Sequence, residues 1–260
     1  MAKLEIFTWG YYGWGSETRK LVQAVDAVEV ERGYAPPIFV DVRISRKVRA
    51  AGFRENAFGK LLGPDRYVWM NALGNDAILE GGKMRIHDPA AAGTLLDLAL
   101  EAQRRKARVV FFCSCAAPAG CHRRAVADLL LKEAGRRGIA LILDEWPGGV
   151  PRVHDVKVTT ERFGQLFRGR ASIPFARVAD LAAIAGLPWG SAVKVHAPGE
   201  LAFFTTGPAI VKGGKWALPV LSTPMASVED ALAIGEEVRS EDGYGPRAPK
   251  ASSRERFDRS

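Results

Sequence analysis

Cysteine is scarce in this chain: three residues in 260, an odd number, all between positions 113 and 121. That excludes the spaced, even-numbered framework of a small disulfide-stapled secreted protein. With no apolar h-region at the N-terminus, the expectation is a reducing, cytoplasmic setting in which Cys113, Cys115 and Cys121 serve as thiols or ligands. Long hydrophobic runs are missing too. None approaches the roughly 18 residues that a membrane helix requires, so no membrane partner is expected. Absent as well are a G-x-G-x-x-G after a strand, a Walker A loop and an H-E-x-x-H helix, which removes the commonest nucleotide-binding and zinc-hydrolase signatures. Histidine numbers only four. His87, His154 and His196 each stand isolated among apolar or loop residues and carry no expected catalytic role.

What the chain has in excess is positive charge. Lys and Arg number 37 against 29 Asp and Glu, a net +8, with a pI near 9.6. Such a balance favours anionic partners and says nothing of fold. Residues 1–148 hold 22 basic against 17 acidic residues, 149–240 hold 10 against 8, and the remainder 5 against 4. The excess is therefore not a detachable basic tail. A composition of 47% apolar and 25% charged residues is that of an ordinary globular protein, long enough for one large domain or a domain plus a smaller lobe.

Hydrophobic patterning predicts strands at 3–9 (KLEIFTW), 36–43 (PPIFVDVR), 66–74 (RYVWMNALG), 107–113 (ARVVFFC) and 139–146 (IALILDEW). Ser16 is placed to cap a helix carrying Leu21, Val22, Val25 and Val28. Asp88-Pro89 is placed to open a helix reaching about Arg105, and a helix over 122–135 follows the fourth strand. Strands that alternate with helices, and are apolar on both faces, predict an α/β fold: a mostly parallel sheet flanked by helices. WPGGVP at 146–151 marks a boundary between an α/β domain over 1–148 and a smaller α+β lobe over 149–240. In that lobe 174–186 reads as a helix, the residues after it as short strands, and 227–239 as a last helix. Lys212-Gly213-Gly214-Lys215 fits a two-residue hairpin turn. Residues 241–260, rich in charge, Gly, Pro and Ser, are expected to be a disordered tail.

Ligands of parallel sheets collect at the carboxyl ends of the strands, an edge that here gathers 9–15, 43 onward, 71–75 and 113–123. Cys121, His122 and Arg123 open the helix after the fourth strand. Helix N-termini stabilise anions and thiolates, so Cys121, and Cys113 if it is close, are candidate thiolates. Arg123 offers a planar donor for phosphate or carboxylate. Asp41 and Arg43 flank Val42 and point to the same side by period-two alternation. They form either an ion pair, or an anion-holding Arg43 with Asp41 orienting Arg123 or His122. The basic run Arg46, Lys47, Arg49 and Arg54 reads as a solvated helix face or a phosphate contact. Trp9, Tyr11, Tyr12 and Trp14 form an aromatic loop able to stack on bases or to pack inward, and RFGQLFRGR at 162–170 repeats the pairing of aromatic and basic residues. Positions 119 and 121 hold Ala and Cys, so neither Cys113 nor Cys115 starts the Cys-x5-Arg loop of a tyrosine-phosphatase-type site.

A strand ending in Cys, a short Ala/Pro loop and CHR opening a helix resembles the signature of the DUF488 family. Thr8 and Gly10 at the end of the first strand, DVR at 41–43 and LG at 73–74 follow in the family's order, over roughly residues 4–145. The basic ISRKVR stands where members often carry a proline after DVR, and 150–240 match nothing familiar. The resemblance implies a fold and a shared site, placing Thr8, Gly10, Cys113 and Cys121 on its rim, without naming a reaction.

These readings converge on an enzyme, of unassigned hydrolase or transferase class, that acts on a phosphate-bearing ligand, nucleotide or nucleic acid, at the strand rim. Cys113, Cys121 and His122 are the candidate catalytic residues. Thr8, Gly10, Tyr11, Trp14, Asp41, Arg43 and Arg123 are the candidate binding residues, and the cofactor is left unassigned. One alternative is a non-catalytic nucleic-acid-binding module with structural cysteines. The other is a small metal site at Cys113, Cys115, Cys121 and His122, for which four ligands in so short a stretch are geometrically awkward.

Overall fold

The five apolar runs of the first 145 residues form β1 (Leu4–Gly10), β2 (Ala35–Asp41), β3 (Tyr67–Trp69), β4 (Ala107–Cys113) and β5 (Leu141–Glu145). The computed structural model describes residues 3–12, 14–15, 17–115, 118–157, 171–175, 185–188, 190–196, 201–204, 210–212, 215–220 and 227–242. These five strands make one sheet in the order β3-β2-β4-β1-β5, every pair parallel. Between them lie α1 (Thr18–Glu31), α2 (Ala57–Leu62), α3 (Ala77–Glu80), α4 (Ala91–Arg104) and α5 (His122–Arg136). The fold is α/β.

Both faces of the sheet are covered, which is why the strand sequences are apolar without alternation. On one face Leu21, Val25 and Val28 of α1 and Phe58 of α2 pack with Phe7, Trp9, Phe39, Val110 and Phe112. On the other, Leu95 and Leu96 of α4 and Val126 and Leu130 of α5 pack with Ile6, Val40, Val109 and Phe111. One consequence positions the site. The chain leaving β1 turns to α1 on the first face, and the chain leaving its neighbour β4 turns to α5 on the second. The two loops part at the ends of adjacent strands and open a crevice there, where doubly wound sheets bind ligands.

Several local expectations shift. Ser16 lies outside the described residues, and the N-cap position of α1 is Glu17, without a side-chain cap. The third strand shrinks to three residues, because residues 71–73 form a 3-10 turn. Asp88 Oδ1 accepts the Ala90 N–H at 2.9 Å, and so caps the turn that precedes α4 rather than α4 itself. Arg46, Lys47 and Arg49 lie on irregular chain and not on a helix, with only a 3-10 turn at Ala51–Phe53 before Arg54. Arg46 instead stacks on Trp69, 3.9 Å from the ring centre.

Past residue 150 the chain forms strands at Val153–Lys157, Ala171–Phe175, Ala192–His196, Leu201–Phe204, Ile210–Lys212 and Lys215–Val220, in two three-stranded sheets. The expected helix over 174–186 is corrected at its start. Pro174 sits in an edge strand, where its missing N–H costs little. Lys212 pairs with Lys215 across an antiparallel hairpin whose two turn residues are outside the described set. His154 and His196 lie in strands, and RFGQLFRGR lies outside the described residues. A helix over Val228–Asp242 includes the first two residues of the expected tail, and 243–260 are outside the described residues. Ala185, Leu187 and Val193 are buried in the same cluster as Phe7 and Trp146. Among the described residues no helix is long and apolar enough to cross a membrane.

The sheet's other end holds a buried charge network. Arg108 donates from Nε and Nη2 to both carboxylate oxygens of Glu29, at 2.6 and 2.7 Å, and from Nη1 to Glu5 at 2.8 Å. Trp146 Nε1 donates to Glu29 at 2.9 Å. Glu29 is fully buried, so removing it leaves Arg108 partly uncompensated in the interior. We expect Glu29→Ala to lower unfolding free energy by about 3–5 kcal/mol and Glu29→Gln by less, as read by urea denaturation.

Candidate functional site

At the rim, Gly10 of β1 is in register with Cys113 of β4, and the Tyr11 N–H donates to the Cys113 carbonyl at 3.0 Å. The loop after β4 folds back over the end of β1. A Cβ on Gly10 would lie 1.7 Å from the Cys115 carbonyl oxygen and 3.0 Å from Arg123 Nη2. Only glycine permits that approach. Gly10 thus serves the local structure through its lack of a side chain.

Arg123 is fully buried and gathers the surrounding elements. Its Nη1 donates to Glu145 Oε1 at 2.6 Å and to Thr8 Oγ1 at 3.2 Å, while Nη2 donates to the Cys115 carbonyl at 3.2 Å. The guanidinium is engaged by a carboxylate from β5, a residue absent from the expected site although it ends a strand on the same rim. Arg43 has the same fate. It donates to Asp41 from Nε at 2.7 Å and from Nη2 at 2.5 Å, to the Tyr11 hydroxyl at 3.0 Å and to the Phe53 carbonyl at 3.1 Å. Burial alone would make Arg43 easier to deprotonate, but the Asp41 bonds and charge outweigh it and hold it firmly cationic. Of the two readings for Asp41 and Arg43 the ion pair is what forms. Asp41 also accepts from the Tyr67 hydroxyl at 2.8 Å, and it orients neither Arg123 nor His122. Both arginines are internally neutralised parts of the framework, because a cation buried this deeply requires a fixed partner.

The aromatic loop packs inward. Trp9, Tyr11 and Trp14 are buried, with Tyr11 stacked on Phe53 at 4.0 Å between centroids and Trp9 edge-on to Trp14 at 6.1 Å. Trp9 and Trp14 present no face for base stacking, and Tyr11 reaches the surface only where it lines a cleft. Tyr12 is half-buried.

The cysteines do come together. Cys113 Sγ and Cys121 Sγ are 3.0 Å apart, both buried, and Cys115 is exposed beside them. Cys121 caps α5, its sulfur accepting the Arg123 N–H at 3.4 Å, while Cys113 Sγ accepts the Cys115 N–H at 3.3 Å. Hydrogen bonds from Cys113, Cys115 and His122, with the Arg123 charge, hold the Cys121 thiol far below the ordinary thiol range against the cost of its burial. Burial pushes the Cys113 thiol well up, so of the two it is Cys121 whose environment favours the thiolate. For Cys115, the bond to Cys113 pulls the thiol down, but the bond to Cys121 and burial together push it up. His122 Nε2 lies 3.0 Å from the Val42 carbonyl, which only accepts, so Nε2 donates there, and Nδ1 faces Cys121 Sγ at 3.9 Å. The ligand atoms of Cys113, Cys121 and His122 all lie within 4.8 Å of one another, a spacing that a metal ion could bridge.

Beside this cluster an open cleft of about 500 Å³ occupies the crevice where the β1 and β4 loops part. Tyr11, Tyr12 and Gly15 line it from the β1 loop, Val48, Arg49 and Ala50 from the chain after β2, and Ser114 from the thiol loop. Arg49 and Ser114 are exposed. Both were within reach of the sequence: Arg49 belongs to the basic run, and Ser114 sits between two cysteines. No protein-family model, curated protein or solved structure matches this chain.

Two outcomes follow from this geometry. Gly10→Ala should destabilise the protein by about 1–3 kcal/mol through overpacking and raise the reactivity of Cys115, as read by urea denaturation and maleimide labelling. For Cys115, whose thiol titrates above its ordinary value, the alkylation rate should keep climbing past about pH 9, whereas Cys121 should react slowly but independently of pH between about 6 and 9. Labelling of Ser variants resolved by mass spectrometry checks both.

Proposed function

We propose that the protein is a DUF488-type enzyme that acts on a phosphate-bearing ligand, a nucleotide or nucleic acid, in the cleft between the β1 and β4 loops, and that it works in the cytoplasm. One observation carries the reading: the cleft, the exposed Arg49 and the thiol cluster share the loops that part where the sheet changes winding direction. Parallel sheets place their ligands at that point because loops diverging to opposite faces leave a crevice there. Arg49 holds the anion by a charge-assisted contact, and Tyr12 flanks the ligand. Cys121 supplies the thiolate, and His122, oriented by the Val42 carbonyl at Nε2, passes a proton at Nδ1. Arg43 and Arg123 contribute from within by holding β2 and α5 in place.

A fluorescent nucleotide and a short single-stranded oligonucleotide, titrated by polarisation, test this. Arg49→Ala should weaken binding about tenfold, the equivalent of roughly 1.4 kcal/mol, and affinity should fall steeply with salt. Unchanged affinity in both Arg49→Ala and Tyr12→Phe, or no binding of either probe, sinks the reading.

A further inference from the structure

We propose that Cys113 and Cys121 form a reversible disulfide when the protein meets a hydroperoxide, making the pair a redox-active dithiol. The bridge itself stands on geometry alone. That it silences the site rests on the preceding reading of Cys121 as the working thiolate.

The two sulfurs sit 3.0 Å apart, held by elements that differ in origin: Cys113 closes β4 and Cys121 caps α5. Each sulfur is steadied by a backbone N–H, from Cys115 and Arg123 respectively. A disulfide needs a separation of about 2.05 Å, so closure asks for a movement of roughly 1 Å. Two thiolates on a tetrahedral zinc, with bonds of about 2.3 Å, stand roughly 3.8 Å apart, so the 3.0 Å pair lies between the bridged and the metal-bound spacing and the zinc content decides between them. The exposed third thiol does not complete the pair.

The chemistry balances with the oxidant as sole co-reactant. The Cys121 thiolate attacks the terminal oxygen of ROOH, the O–O bond breaks, and the alkoxide leaves as ROH after taking a proton from solvent. The sulfenic acid on Cys121 is then attacked by the Cys113 sulfur. The S–S bond forms as the S–O bond breaks, and the hydroxide leaves as water with the proton of Cys113. Two thiols have lost two electrons to the peroxide. A dithiol reductant restores them by exchange. The division of labour suits the two environments, since that of Cys121 favours the thiolate and burial favours the protonated thiol at Cys113.

The test uses the full chain as Cys115→Ser, a change at an exposed position that leaves Cys113 and Cys121 as the only thiols. After brief exposure to hydrogen peroxide, denaturation and maleimide labelling, both thiols should be protected and the intact mass lower by two hydrogens. Dithiothreitol should return both, and a non-reducing gel should show a monomer. In the further variant lacking Cys113 as well, the reaction should stop at a sulfenic acid on Cys121, trapped by dimedone. Gain of oxygen in place of loss of hydrogen, a disulfide-linked dimer, protection that requires Cys115, or stoichiometric zinc in the purified protein would each overturn the proposal. None of these readouts uses a nucleotide, so failure to bind one leaves the bridge standing, and failure to bridge leaves ligand binding in the cleft untouched.

Discussion

Arg123 has no exposed surface, yet carries a full charge into the place where α5, β1, β5 and the thiol loop meet. Its bonds to Glu145, Thr8 and the Cys115 carbonyl are what make that burial tolerable. A buried guanidinium is costly unless each contact is well placed, so its position fixes theirs. Because its carbonyl is held by Arg123, Cys115 is directed onto Gly10, and because Arg123 is the second residue of α5, its backbone N–H meets the sulfur of Cys121. The thiol cluster is thus a consequence of where one charged side chain is satisfied.

A second ion pair performs the same service one strand away. Asp41 and Arg43 close on each other at the end of β2, and the Tyr11 and Tyr67 hydroxyls and the Phe53 carbonyl complete the set. This network joins the β1 loop to the chain after β2, the two walls that carry Tyr12 and Arg49. Charge expected at the ligand is spent on architecture, and the cationic group that faces the cleft comes from the irregular basic run. The sulfurs of Cys113 and Cys121 are in contact, yet their environments act in opposite directions: burial pushes the Cys113 thiol up, and hydrogen bonds hold that of Cys121 down.

The core was legible because its signals are local. β4 occurs over the residues that the apolar run spans, and α5 runs one residue further than its pattern suggested. A parallel sheet covered on both faces leaves no other reading for such strands. Local signals failed where neighbours compete. The RYVWMNALG stretch looks like a strand, but past Trp69 it bends into a 3-10 turn, and Met70 donates its N–H to the Asp41 carbonyl. Pro174 suggested a helix start, yet it pairs across a sheet edge with Ala217. Asp88 caps, but caps a turn.

The site divides the same way. The sequence by itself determined the alternation of strands and helices, the rim on which Gly10, Asp41 and Cys113 end, and the clustering of Cys121, His122 and Arg123 at a helix start, since each follows from residue types within a few positions. Only the tertiary structure decided partners. That Arg123 chooses Glu145, that Arg43 chooses Asp41, that Trp14 turns inward and that two sulfurs eight residues apart come within 3.0 Å depends on distances between segments remote in the chain. A charge or a thiol carries no local mark of the group that will satisfy it; that is settled when the sheet closes and water is excluded.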